Sequence, residues 1–110
     1  MVPPRAEEAE RFVPAGLDRL LEHRTRLAAC VLLSRHERMS FTRLRELTDE
    51  TDGNLGAHLR KLEDERYLKT TKEFVDRKPV SWFQLTAEGR KRLGMHLEAL
   101  TAIIREARRG

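Results

Sequence analysis

The chain has 110 residues, of which 39% are hydrophobic, 36% charged and 5% aromatic. That is the size of one domain with one modest core. A chain this short buries only about two-thirds of its unfolded surface, so a partner subunit would add stability. No apolar run approaches the roughly 20 residues of a membrane-spanning helix. The polar, acidic start MVPPRAEEAE does not read as a secretory signal. A single cysteine, Cys30, excludes a disulfide framework and an all-thiolate zinc site. By elimination these features point to the cytoplasm. Lysine and arginine number 22 against 18 acidic residues, a net charge of +4, and the pI is near 9.7. A basic pI is one footprint of nucleic-acid binding. It is a weak one here, because the excess of 17 arginines over 5 lysines is also what a biased genome or a thermophilic host produces.

In chain order, residues 1–15 carry Pro3, Pro4 and Pro14 around an acidic cluster and read as an irregular arm. Residues 16–110 read as a single domain. Leu17, Leu20, Leu21, Leu27, Ala28 and Val31 recur at three- and four-residue steps and predict a helix over 16–35. Residues 36–40 make a turn and a short extended piece. Helices are predicted over 41–48, with Leu44 and Leu47 inward, and over 52–66, with Leu55, Leu59 and Leu62 on one stripe. The period then changes to two. Residues 68–75 and 80–86 alternate and are rich in Thr, Val, Phe and Trp, which predicts a hairpin over 68–86 with residues 76–79, DRKP, as its basic tip. Thr86 is a suitable N-cap for a last helix over 87–109, which Gly110 would stop. The fold class is therefore mainly α with a small β-hairpin. Two short helices joined by a tight turn and followed by a basic hairpin form a winged helix-turn-helix.

In such a unit the second helix enters the major groove of DNA. At about 100° per residue, Leu55, Leu59 and Leu62 face the core. Gly53, Asn54, Ala57, Arg60 and Lys61 project from the other side, with His58 at its edge. An amide such as Asn54 matches adenine N6 and N7, an imidazole can donate to guanine or phosphate, and Arg60 and Lys61 can neutralise phosphates. Gly53, Gly56 and Ala57 are small enough to let the helix backbone sit deep in the groove, although glycine weakens a helix. The plainer reading is that Asn54 caps the helix and that Arg60 and Lys61 form a solvated face. Arg77 and Lys78 at the hairpin tip, with Lys69 and Lys72 on its first strand, suit phosphates or a narrow minor groove. An ordinary exposed turn has the same composition. Strand alternation puts Trp82 opposite Phe83 and Leu85, for packing on the wing base, the arm or a second subunit.

The run FTRLRELTDETDGNLGAHLRKLEDERYLKTTKEFVDRKPVSWFQLTAEGRKRL resembles the small ArsR/MarR-like winged-helix regulators of bacteria and archaea, the single-domain winged helix DNA-binding type. The resemblance spans about residues 17–100. Its most specific pieces are TDGNLGAHLRKLE and DRKPVSWFQLTAEGR. It implies homodimeric transcription regulators of near-palindromic operators. It carries Thr51, Asn54, Ala57, His58 and Lys61 onto the recognition helix, and Arg77 and Lys78 into the wing. Three positions depart from the family pattern: Glu50 replaces an aliphatic residue, Asp49 a turn glycine, and Gly56 a serine.

The dimer interface is expected from Leu17, Leu20 and Leu21 at the start of the domain and from Leu97, Leu100, Ile103 and Ile104 in the last helix, which carries more apolar surface than a small core can use. Cys30 reads as a small buried apolar residue. His23, His36, His58 and His96 are scattered, so no metal site or cofactor is indicated; a small-molecule effector is possible without being signalled. The leading function is a sequence-specific, double-stranded-DNA-binding transcription regulator, homodimeric and acting as a repressor. The alternatives are a winged-helix protein-protein interaction module and a non-specific DNA architectural protein. No phosphate loop, HExxH or GxSxG motif suggests an enzyme.

Overall fold

The computed structural model of the chain describes residues 13–109, so most of the expected N-terminal arm, and Gly110, lie outside the described residues. The first long helix expected over 16–35 is divided. A short 3-10 turn, Arg19–Leu21, precedes helix α1, Arg24–Arg35. The reason is local competition for backbone donors. The Asp18 carboxylate accepts from the Leu20 N–H at 3.1 Å, and the His23 imidazole accepts from the Thr25 N–H at 3.1 Å. Each starts a new turn, so the chain kinks between them. The buried side of α1 is Thr25, Ala29, Cys30 and Leu33. Ala28 is exposed and Leu27 and Val31 are half-buried, a rotation away from the expected stripe.

Strand β1, Met39–Ser40, leads directly into α2, Phe41–Thr48, whose first turn is capped by the Ser40 hydroxyl. Leu44 of α2 is buried, while Leu47, expected inward, is exposed. Helix α3, Asp52–Asp64, buries Leu55, Leu59 and Leu62. It stops two residues before the expected end. Arg66 takes a left-handed φ of 63°, and the chain turns so that Tyr67 enters the core. Strands β2, Leu68–Val75, and β3, Lys78–Leu85, form the hairpin, and β1 adds to its other side in the order β1-β3-β2, all antiparallel. Helix α4, Ala87–Ala107, completes the fold and would be about 31 Å long.

The core joins Leu21 and Leu33 to Leu44, to the three α3 leucines, and to Phe83, Leu85 and Leu93. Each fully buried leucine is worth roughly 1.5–3 kcal/mol. Three of them in α3 outweigh the ~1 kcal/mol that each of Gly53 and Gly56 costs the helix. The start of α4 is held more closely. The Thr86 hydroxyl accepts from the Gly89 N–H at 2.9 Å and donates to the Arg66 carbonyl at 2.6 Å. Gly89 lies against the Tyr67 carbonyl, where a Cβ would overlap backbone. This is the one glycine in the helices that close approach within the chain requires.

Candidate nucleic-acid interface

Helix α3 is set at a fixed angle to α2 by three local devices. Asp49 adopts the left-handed C-cap conformation, φ 53°, that a glycine would otherwise supply. An aspartate tolerates it better than most residues, so the departure at Asp49 leaves the turn intact. The Thr51 hydroxyl accepts from the Asn54 N–H at 3.2 Å and caps α3. Across the turn, Arg45 Nε meets Asp52 Oδ1 at 2.9 Å, which also places a carboxylate at the positive end of α3. Asn54 is therefore not the cap, contrary to the plainer reading of the sequence. Its side chain is exposed in the first turn.

Gly53, Asn54, Ala57, Arg60 and Lys61 are exposed on the side of α3 away from its three buried leucines, and Thr51 is exposed at its N-cap. A Cβ placed on Gly53 or Gly56 would meet nothing within 4 Å. Unlike Gly89, these glycines have no packing reason among the described residues. His58 differs from its sequence-based assignment. It is half-buried, its ring centroid is 4.0 Å from that of His23, and Arg26 Nη1 lies 3.0 Å from its Nδ1. A guanidinium can only donate, so Nδ1 accepts and the ring is neutral, with only Nε2 left to act as a donor elsewhere. Burial lowers its pKa below the usual imidazole value, the nearby His23 and Arg26 lower it further, and Glu50 opposes them. Arg26 also donates from Nε to the Leu20 carbonyl at 2.6 Å, so it ties α3 to the segment before α1. No sequence signal singled out Arg26.

The hairpin tip is tighter than the four residues expected. Only Asp76 and Arg77 lie between the strands, and both have positive φ, 50° and 67°. That is the two-residue turn whose twist matches the flanking strands. Lys78 and Pro79 belong to β3, paired with Val75 and Phe74. Lys72, Arg77 and Lys78 are exposed. At the base of the wing, Arg38 lies 4.2 Å above the Trp82 ring and meets Glu73 at 2.8 Å. Trp82 therefore has a contact at the wing base, one of the three options open in the sequence; most of the arm lies outside the described residues. Phe74, which the sequence reading passed over, is 79% exposed.

Leu20 and Leu21, expected at a dimer interface, are buried at 8% and 1% exposure in the core of this chain. The kink at Asp18 turns them inward, so they offer no surface to a partner. Leu17 is half-buried, as are Leu100 and Ile103, and Leu97 and Ile104 are exposed. After Ala99, α4 has no buried residue. Its free face runs through Gly94, Leu97, Thr101 and Ile104, at helical spacing, and a Cβ on Gly94 would also meet open space.

The first half of α4 docks instead through a polar junction. Asp18 accepts from the Tyr67 hydroxyl and is paired with Arg92 at 2.8 Å, the Arg92 guanidinium lies 4.4 Å from the Tyr67 ring centroid, and the Asp18 N–H donates to His96 Nδ1 at 2.9 Å. Burial alone would raise the Asp18 carboxyl. The hydrogen bonds from Tyr67 and Leu20, together with Arg92, outweigh it and hold the carboxyl below its usual range. Burial and the Asp18 contact push the Tyr67 phenol up. His96 is 2% exposed, so it is a structural acceptor and not a side chain presented to a second subunit. Cys30 is fully buried, and burial, with Asp18 nearby, pushes its thiol up to about 12. Among the described residues no helix is long and apolar enough to cross a membrane.

A family model described as a winged helix DNA-binding domain matches residues 25–104. Among solved structures, the chain resembles a transcriptional regulator homologue from Pyrococcus horikoshii OT3, with 27% identity, a TM-score of 0.78, and coverage of 94% of this chain and 99% of that one. It also resembles YusO from Bacillus subtilis, with 20% identity, a TM-score of 0.70, and coverage of 77% of this chain and 60% of that one. A third likeness is to ZitR from Lactococcus lactis, a zinc-responsive MarR family member, with 16% identity, a TM-score of 0.62, and coverage of 89% of this chain and 67% of that one. The last two likenesses bear on the fold alone, and the chain spans 60% of the length of YusO. No curated protein matches it.

Proposed function

The chain belongs to the winged helix DNA-binding domain family, and from that premise we propose that it is a homodimeric, sequence-specific transcription regulator acting as a repressor in the cytoplasm. Helix α3 reads the major groove, and the turn at Asp76 and Arg77 lies on the backbone or in the minor groove. Asn54 reads a base edge. Arg60, Lys61, Lys72, Arg77 and Lys78 neutralise phosphates, and Thr51, Gly53 and Ala57 line the closest approach. His58 acts chiefly through Arg26, as a positioning residue.

The observation that carries this reading is the small-residue face of α3. Gly53 and Gly56 weaken the helix by ~1 kcal/mol each, and among the described residues nothing occupies the space they leave. A duplex pressed against the helix would occupy it. The homodimer rests on a parallel observation, a face of α4 through Gly94, Leu97, Thr101 and Ile104 that no described residue covers, with Leu100 and Ile103 beside it. Two-fold symmetry through that face would set the two α3 helices about one DNA turn, roughly 34 Å, apart. A dimer on a promoter blocks polymerase without any further domain.

The test is selection of bound duplexes from a random pool by the purified protein at physiological salt. An enriched inverted repeat with half-sites about one turn apart is expected. Binding with a steep salt slope but no enrichment would overturn sequence specificity in favour of an architectural role. Absence of binding at low salt would overturn the DNA reading and favour protein contacts.

A further inference from the structure

Phe74 is the most exposed large hydrophobic side chain among the described residues, at 79%. Its placement follows from the ladder. Side chains alternate along a strand, so Leu68, Thr70, Lys72 and Phe74 share one face of β2, opposite Leu85, Phe83, Ser81 and Pro79 of β3. Leu68, Phe83 and Leu85 are buried, so this is the face that the helices cover, α3 among them. The covering ends before Lys72. Phe74 and Pro79 therefore overhang, on the helix-bearing side of the wing, as a cross-strand apolar pair with no partner among the described residues. β1 reaches only Phe83 and Trp82, so β3 has a free edge at Pro79, which tolerates a proline there.

The surroundings of the pair state what would meet it. Lys69, Lys72, Arg77 and Lys78 lie in the same hairpin against two carboxylates, Glu73 and Asp76, and Glu73 is already engaged by Arg38. Lys72 shares the face of the pair and Arg77 sits in the adjoining turn, while Lys69 and Lys78 project from the opposite face of the hairpin. An apolar pair beside such cations fits an anionic surface with an apolar floor. The minor groove of a duplex is such a surface, with phosphates at its rims and sugars and stacked base edges within. Apolar side chains of this kind can wedge between base steps and bend the duplex toward the major groove.

Building on the regulator reading above, we propose that Phe74, backed by Pro79, is an apolar wedge that enters the minor groove beside the half-site read by α3. It partly unstacks one base step there and bends the DNA. Flexible pyrimidine–purine steps deform most easily, so the wedge adds sequence preference at a position no polar side chain touches.

The experiment uses the full chain and a duplex carrying the selected repeat, labelled at both ends with a fluorescent donor and acceptor. Wild-type protein is expected to shorten the end-to-end distance on binding. Phe74→Ala is expected to abolish the shortening and weaken binding about ten-fold, with the salt slope unchanged, because no charge is lost. Replacing the flanking TA or CA step by a stiff step is expected to weaken wild type but not the variant. Phe74 touches no core residue, so the variant should keep its melting temperature, which circular dichroism checks. Equal bending and equal affinity for the two proteins would overturn the wedge while leaving the regulator intact. A loss of dimer mass in Phe74→Ala by light scattering would assign the residue to a second copy and also overturn the wedge. If wild-type protein binds no duplex, the regulator reading fails, and the wedge with it.

Discussion

The two parts of α4 are continuous in backbone, yet they do different work. From Ala87 to Ala99 the helix buries Gly89, Leu93, His96 and Ala99, and Arg92 closes the junction with Asp18 and Tyr67. From Leu100 to Ala107 no residue is fully buried among the described residues: Leu100 and Ile103 are half-buried and Ile104 is exposed. The first half holds the domain together, and the second extends an apolar face beyond the domain. A helix needs packing to be stable in water, and the dimer proposed above would supply it to the second part.

The comparison can be broken most severely at Gly89. Gly89→Ala forces a Cβ into the Tyr67 carbonyl, and the backbone on both sides has no room to yield. A loss of about 3 kcal/mol or more is expected in chemical denaturation. The same change at Gly94, in open space on the same helix, is expected to be neutral or to stabilise by up to about 1 kcal/mol. If the two substitutions cost the same, the division of the helix is wrong.

Next in size is Tyr67→Phe. It leaves the half-buried Asp18 carboxylate short of one donor and is expected to cost about 1–3 kcal/mol in urea. Acid separates this junction from the α3 tether. The folded pKa of His58 lies below its unfolded value of 6.5. Its contribution is therefore complete above that pH and is lost as pH falls from there through the folded value. Asp18 has a folded pKa below its unfolded value of 3.8, so its contribution survives until pH falls below that figure. A melting-temperature series from neutral pH downward should show the first loss below pH 6.5 and the second only below pH 3.8. His58→Gln should remove the first and leave the second.

The smallest expected effect on the fold, and the largest on assembly, comes from Leu100→Glu with Ile104→Glu. Monomer stability should fall by about 1 kcal/mol at half-buried Leu100 and less at exposed Ile104, while light scattering should show a monomer with weakened DNA binding. An unchanged dimer mass would place the interface elsewhere.

Much of this was legible in the chain itself. The period-3.6 stripe of Leu55, Leu59 and Leu62 marked α3 and its exposed face, because a leucine stripe on a short helix between two others has a core to face. Alternation marked the hairpin, and Thr86 marked the start of α4. The tip was misjudged by two residues, since nothing local announced that Asp76 and Arg77 would both adopt positive φ. Leu20 and Leu21 looked like interface residues because their spacing is helical. Only the competing caps at Asp18 and His23 broke that helix and turned them inward. Asn54 and Thr51 were both plausible caps by residue type, and one hydrogen bond chose between them.

The sequence by itself determined the order of the main helices and the hairpin and the buried face of α3, because these follow from local propensity and the periodicity of apolar residues. Tertiary structure decided the pairings across long separations. Arg26 meets His58, Asp18 meets Tyr67 and Arg92, Gly89 meets the Tyr67 carbonyl, and Phe74 is left 79% exposed. Those outcomes depend on how separate elements approach in space, and no short-range pattern encodes a distance between residues so far apart in the chain.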